Sequence, residues 1–118
     1  MGVFNNNQDG FVDETVCSFV TENVPPNEPI NPDPSNGETN VDKNHDLTWD
    51  CSDPNGGLIK YDIYFGTENP PPKLASNITG KSYNPGEMVY KTIYYWKVVA
   101  WDNFGAYTSG PIWSFLIK

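Results

Sequence analysis

The stretch NNNQDGFVDETV, from Asn5 to Val16, spaces its side chains as a calcium-binding loop does: Asn5, Asn7, Asp9, Gly10, Val12 and Asp13 all fall in place. The chemistry fails at the two ends. Such a loop needs an acid first and a bidentate Glu twelfth, and here those places hold Asn5 and Val16. The turn DCSDPNGG offers Asp50 and Asp53, but its later positions are Asn55 and Gly57, too few carboxylates for a cation; turn chemistry alone accounts for it. Cys17 and Cys51 match no zinc spacing. They are two free thiols or, if the N-terminal tail docks beside the end of LTWDC with the Cα atoms within about 7 Å, a disulfide. A serine or cysteine nucleophile would need His45 as its base, and His45 sits in the polar turn DKNHD. The fifteen acids form no recognisable catalytic pair. The sequence therefore assigns no catalytic residue, no metal site and no cofactor.

Composition narrows the classes further. At 118 residues the chain suits one domain. A net charge of -8 argues against nucleic acid and anionic membrane surfaces, which both need basic patches. No apolar run approaches the roughly 20 residues that span a bilayer, so no membrane insertion of this segment is expected. Met1 is followed by polar, Asn-rich sequence without the pattern of a signal peptide, so the signal of an exported parent is expected upstream. The opening Met-Gly reads as a scar on an excised fragment.

The elements that must position any site are strands. Eleven prolines, ten glycines and many aromatic residues leave no window with an apolar face at helical spacing. HDLTWDC alternates, with Leu47, Trp49 and Cys51 on one face. IKYDIYFG puts Ile59, Tyr61, Ile63 and Phe65 together. TIYYWKVVAWD sets Tyr94, Trp96, Val98 and Ala100 against Ile93, Tyr95, Lys97, Val99 and Trp101. GPIWSFLIK closes the chain with Trp113, Phe115 and Ile117 inward. Period-two patterns of this kind mark strands buried on one side. An edge strand is expected near Glu28–Asn31 and a short one near Lys81–Tyr83. SDPNGG, NPGE and DNFG are turns, and ENPPPK is extended but unfit for a central strand. The pattern predicts an all-β, seven-stranded antiparallel β-sandwich.

LTWD, YDIYFG and TIYYWKVVAWDNFG together resemble a fibronectin type III-like (immunoglobulin-like) domain over about residues 25–118. Thr92, Tyr94, Val98, Ala100 and Gly105 match the family's T-x-Y-x-x-x-V-x-A pattern and the turn after it. The resemblance implies that Tyr94 is a tyrosine-corner residue whose hydroxyl bonds the preceding loop. Met88 stands where the family's loop has leucine, and Tyr90 departs from its proline. YDIYFGTENPPPK and SGPIWSF are similar to tandem repeats in microbial multi-domain cell-surface proteins.

The chain also echoes itself. Ser18-Phe19 aligns with Ser114-Phe115, with Val16 on Ile112, Cys17 on Trp113 and Val20 on Leu116. This divides the chain into residues 1–23, a terminal hairpin left from a preceding repeat; 24–27, a Pro-rich linker; and 28–118, the β-sandwich. The tail, with Phe4, Phe11, Val16, Phe19 and Val20, either docks on a sheet edge or stays mobile.

One feature suggests binding. With Tyr94, Trp96, Val98 and Ala100 inward, the outer sheet face collects Tyr64, Tyr95, Val99, Trp101, Ile112 and Leu116, more apolar surface than a solvated sheet needs. It would stack on sugar rings, meet a neighbouring domain or partner protein, or be covered by the tail or by side chains such as Lys97 and Lys60. Asn77-Ile78-Thr79 fits the N-glycosylation pattern. The expected function is a non-catalytic structural or adhesion module of a modular extracellular or cell-surface protein. It would act as a spacer or protein-interaction domain, with neighbouring repeats, another surface protein or a polysaccharide as partners. The alternative is a carbohydrate-binding accessory module of a polysaccharide-degrading enzyme.

Overall fold

Pro29, Pro34, Gly37 and Gly110 shape where the strands of this chain start, turn and break. The computed structural model describes residues 23–118. The expected terminal hairpin up to residue 22, its calcium-like spacing, the repeat echo and Cys17 lie outside the described residues. The strands are β1 (Ile30–Asp33), β2 (Glu38–Val41), β3 (Leu47–Asp50), β4 (Lys60–Gly66), β5 (Lys73–Ile78), β6 (Ser82–Tyr83), β7 (Ile93–Trp101), β8 (Tyr107–Ser109) and β9 (Trp113–Ile117). They form a β-sandwich. A three-stranded sheet runs β1-β3-β6; a six-stranded sheet runs β2-β9-β7-β4-β5, with β8 also paired to β7.

The all-β sandwich class stands, with nine strands rather than seven among the described residues. Two of the differences have a local cause. The first strand begins two residues later than expected, because Pro29 lacks an N–H and is buried in the core's edge. After β1, buried Pro34 and a turn closing on Gly37, at φ 83°, carry the chain across to the other sheet. There β2 pairs parallel to β9, with Phe115 opposite Glu38 and Ile117 opposite Val41. The sandwich is thus not wholly antiparallel. An additional short strand, β8, precedes the last expected one. Ser109 pairs with Val99 and Trp113 with Trp96, so one extra residue is taken up between them, a bulge at Gly110–Ile112. The Gly110 amide still donates to the Val98 carbonyl at 2.8 Å. A Cβ on Gly110 would stand 2.9 Å from that same oxygen, so only glycine makes this approach. Strand β5 follows the Pro-rich stretch and stays at the sheet edge; Phe65 N–H donates to the Pro72 carbonyl at 2.9 Å just before it.

Strand β7 is the axis of the large sheet. It pairs antiparallel with β4 from Lys60 opposite Trp101 to Gly66 opposite Tyr95. Its inward residues meet Trp49 and Leu47 of β3 in a single core, and the inward sets read from the alternation of β3, β4, β7 and β9 are all in it or packed against it. Trp96 and Trp113 rings lie 4.8 Å apart, Trp49 meets Tyr61 edge-on at 5.3 Å, and Phe65 stacks on Tyr94 at 5.0 Å. Fully burying one such side chain contributes about 1.5–3 kcal/mol. Two indole nitrogens, Trp49 Nε1 and Trp96 Nε1, are buried without a hydrogen-bond partner, so ring packing outweighs two unmade bonds.

Candidate functional site

The outer face of the large sheet is laid out by register. Five rows cross it: Ile93 with Leu116; Tyr95 between Gly66 and Ser114; Lys97 beside Tyr64, which pairs with Lys73; Val99 between Asp62 and Ser109; and Trp101 between Lys60 and Tyr107. Charged residues therefore stand in the three rows that hold Tyr64, Val99 and Trp101, and none in the rows of Tyr95 and Ile93. Of the six expected face residues, Val99 is buried at 6 % exposure and presents nothing. Tyr64 is half-buried, with Lys97 Nζ 4.8 Å and Lys73 Nζ 5.9 Å from its ring centre, so both ammonium groups sit over the ring. Tyr95, Trp101 and Leu116 are half-buried, and Ile112 is exposed in the bulge before β9. Covering of the patch by long side chains thus accounts for Tyr64; Lys97 does it, with Lys73 rather than Lys60 as its companion.

The Trp101 end is different. Its Nε1 donates to Asp62 Oδ2 at 3.0 Å, and Lys73 Nζ stands 3.5 Å from the same oxygen. The Asp62 residue is only 8 % exposed. On the other side the Trp101 and Tyr107 rings lie 4.7 Å apart. Asp62 and Tyr107 were not visible as partners of Trp101 in the sequence. Asp62 reads there as an ordinary outward residue between Tyr61 and Ile63, and only register sets it beside the indole.

A second organised region gathers the loops around the entry segment. Asn23 Nδ2 donates to Asp102 Oδ2 at 2.8 Å, and Val24 N–H to Asn55 Oδ1 at 2.8 Å. Asn27 bonds Ser52 through both backbone and side chain, and the Thr108 hydroxyl donates to the Pro26 carbonyl. The expected linker 24–27 thus lies along the body. Asp102 also accepts from the Phe104 and Ala106 amides, each at 2.9 Å. Its desolvation alone would raise its pKa; the bonds from Asn23, Phe104, Ala106 and Gly105 outweigh this and hold the carboxyl below its usual range. Phe104 stands at the tip of that turn with 74 % of its surface exposed.

The other polar residues are engaged in local structure. Asp50 takes the Lys81 ammonium at 3.0 Å and the Cys51 amide at 2.9 Å, while Asp53 accepts from Asn55 N–H at 2.8 Å. The two amide bonds are local to the turn, while the Lys81 contact is an ion pair from the residue before β6 to the end of β3. His45 Nε2 lies 3.0 Å from Asp33 Oδ1 beside a shallow hollow. The buried Cys51 thiol donates towards the Asn27 carbonyl at 3.2 Å. Among the described residues no three His, Cys, Asp or Glu side chains gather at metal-binding distances.

No family model matches the chain, and neither does any curated protein. Among solved structures it is similar to a Fn3-like protein from Clostridium thermocellum, at a TM-score of 0.57 and 24 % identity, over 80 % of this chain and 94 % of that one. Fold order, core pattern and this neighbour agree: the chain carries a fibronectin type III-like β-sandwich.

Proposed function

We propose that the chain is a non-catalytic module of a modular extracellular or cell-surface protein, acting as a spacer or protein-interaction domain between neighbouring repeats. The observation that supports this is the fixing of the entry segment. Asp102, Asn55 and Ser52 from loops, and Thr108 from β8, hold residues 23–27 against the body. A free Pro-rich tether would leave two units to tumble separately. A tether bonded along its length transmits the orientation of one unit to the next. The exposed Phe104 stands on the same loop as Asp102, beside the point where the preceding chain enters.

Amide exchange on the full chain tests the reading. The Val24 and Asn27 N–H groups are expected to exchange far more slowly than in a free peptide. Exchange at the peptide rate at both positions would refute the rigid joint, and with it the spacer role.

A further inference from the structure

The middle of the outer sheet face is closed: Val99 is buried and Tyr64 lies under two ammonium groups. A concavity of about 390 Å³ remains at the Trp101 end, within the size range of small-molecule sites. Trp101 and Asp102 line it on the β7 side, and Ser76 and Asn77 on the β5 side. Lys60, Asp62 and Lys73 complete it.

We propose that this groove binds a neutral saccharide. Charge balance is the first argument. Two ammonium groups and two carboxylates line one small groove, so an anion meets Asp62 and Asp102, and a cation meets Lys60 and Lys73. An uncharged ligand with many hydroxyls gains from both sets. The Ser76 hydroxyl and the Asn77 amide each donate and accept, matching sugar hydroxyls. Preorganisation is the second argument. The indole of Trp101 is set before any ligand arrives, by the 3.0 Å bond from Nε1 to Asp62 and by Tyr107 against its ring. Its flat apolar surface suits the C–H face of a pyranose ring. Both contacts to Asp62 fall on Oδ2, which leaves Oδ1 to accept a sugar hydroxyl.

Asn77 also provides a clean variant. Its φ is 59°, in the left-handed region, which glycine adopts freely. Asn77→Gly therefore removes the amide and keeps the backbone. The test is a titration of the ¹⁵N-labelled full chain with neutral oligosaccharides of glucose, mannose, xylose and N-acetylglucosamine. Oligogalacturonate and chitosan oligomers serve as anionic and cationic counterparts. A neutral series is expected to shift the Trp101 indole N–H and the Ser76 and Asn77 amides, with saturation. Asn77→Gly is expected to weaken that binding about tenfold, and a folded Trp101→Ala to weaken it more. The proposal is overturned if no neutral series shifts those resonances, if only the charged oligomers bind, or if Asn77→Gly binds as tightly as the parent. Should Trp101→Ala not fold, Asn77→Gly decides alone. None of these outcomes bears on the rigid joint, which the Val24 and Asn27 exchange rates decide.

Discussion

The hydroxyl of Tyr94 accepts a hydrogen bond from the Val89 amide at 2.9 Å. That bond ties the exposed loop before β7 to the sandwich core, with Met88 buried beside it and Phe65 stacked on the Tyr94 ring. The tyrosine corner implied by the sequence resemblance is therefore present, although Tyr90 replaces the usual proline. Tyr94→Phe keeps the ring and loses the bond. Val89 is exposed, so water can replace the lost acceptor. The expected loss is about 1 kcal/mol, read from urea denaturation at unchanged slope.

Gly110→Ala tests the bulge between β8 and β9. The added methyl would stand 2.9 Å from the Val98 carbonyl and 3.4 Å from Pro29. Backbone must shift, and the expected cost is about 1–3 kcal/mol. A melting temperature equal to the parent's would refute the close approach.

Trp96 is fully buried, and Ala there removes its contacts with Trp49 and Trp113. A loss of about 3–5 kcal/mol is expected, large against the stability of a domain this size. Thermal unfolding by circular dichroism measures it.

Alkaline stability follows from Cys51 and Tyr61. Burial is the main cause that pushes the Cys51 thiol up. Burial also raises the Tyr61 phenol, and the neighbouring thiol adds to the rise. Both groups are neutral in the fold, and both ionise more readily in the unfolded chain, near pH of about 8.5 and 10. Their contribution is whole below those values and is lost as pH rises through the higher folded ones. Denaturation midpoints are expected to be flat from neutral pH to about 8, then to fall. Cys51→Ser would leave only the later fall due to Tyr61.

Asp102 predicts the opposite limb. Its carboxyl is held low by the bonds it accepts, so its contribution is present above about pH 4 and disappears as pH falls through its lower folded value. The protection of the Phe104 and Ala106 amides, taken against the intrinsic exchange rate at each pH, is expected to fall on acidification. Asn55→Ala, by contrast, should quicken exchange at Val24 at neutral pH with little change in melting temperature.

Alternation alone determined the inward faces of β3, β4, β7 and β9, because a strand half-buried in a sandwich must place every second residue in the core. It also pointed to the sandwich class, while the corner tyrosine came from the resemblance to a known family and not from alternation. It did not reveal β2, β5 or β8. Glu38–Val41 and Lys73–Ile78 are edge strands, mostly exposed, with no alternation strong enough to mark them, and Tyr107–Ser109 is only three residues long. The apolar face was legible as a set but not as a surface. Lys97 and Lys73 reach Tyr64, and Asp62 reaches Trp101, only through cross-strand register. Register depends on the bulges and turns that decide which rows meet, and on strands far apart in the chain. The groove beside Trp101 joins Asn77 to Asp102 across three strands, so tertiary structure alone could place it.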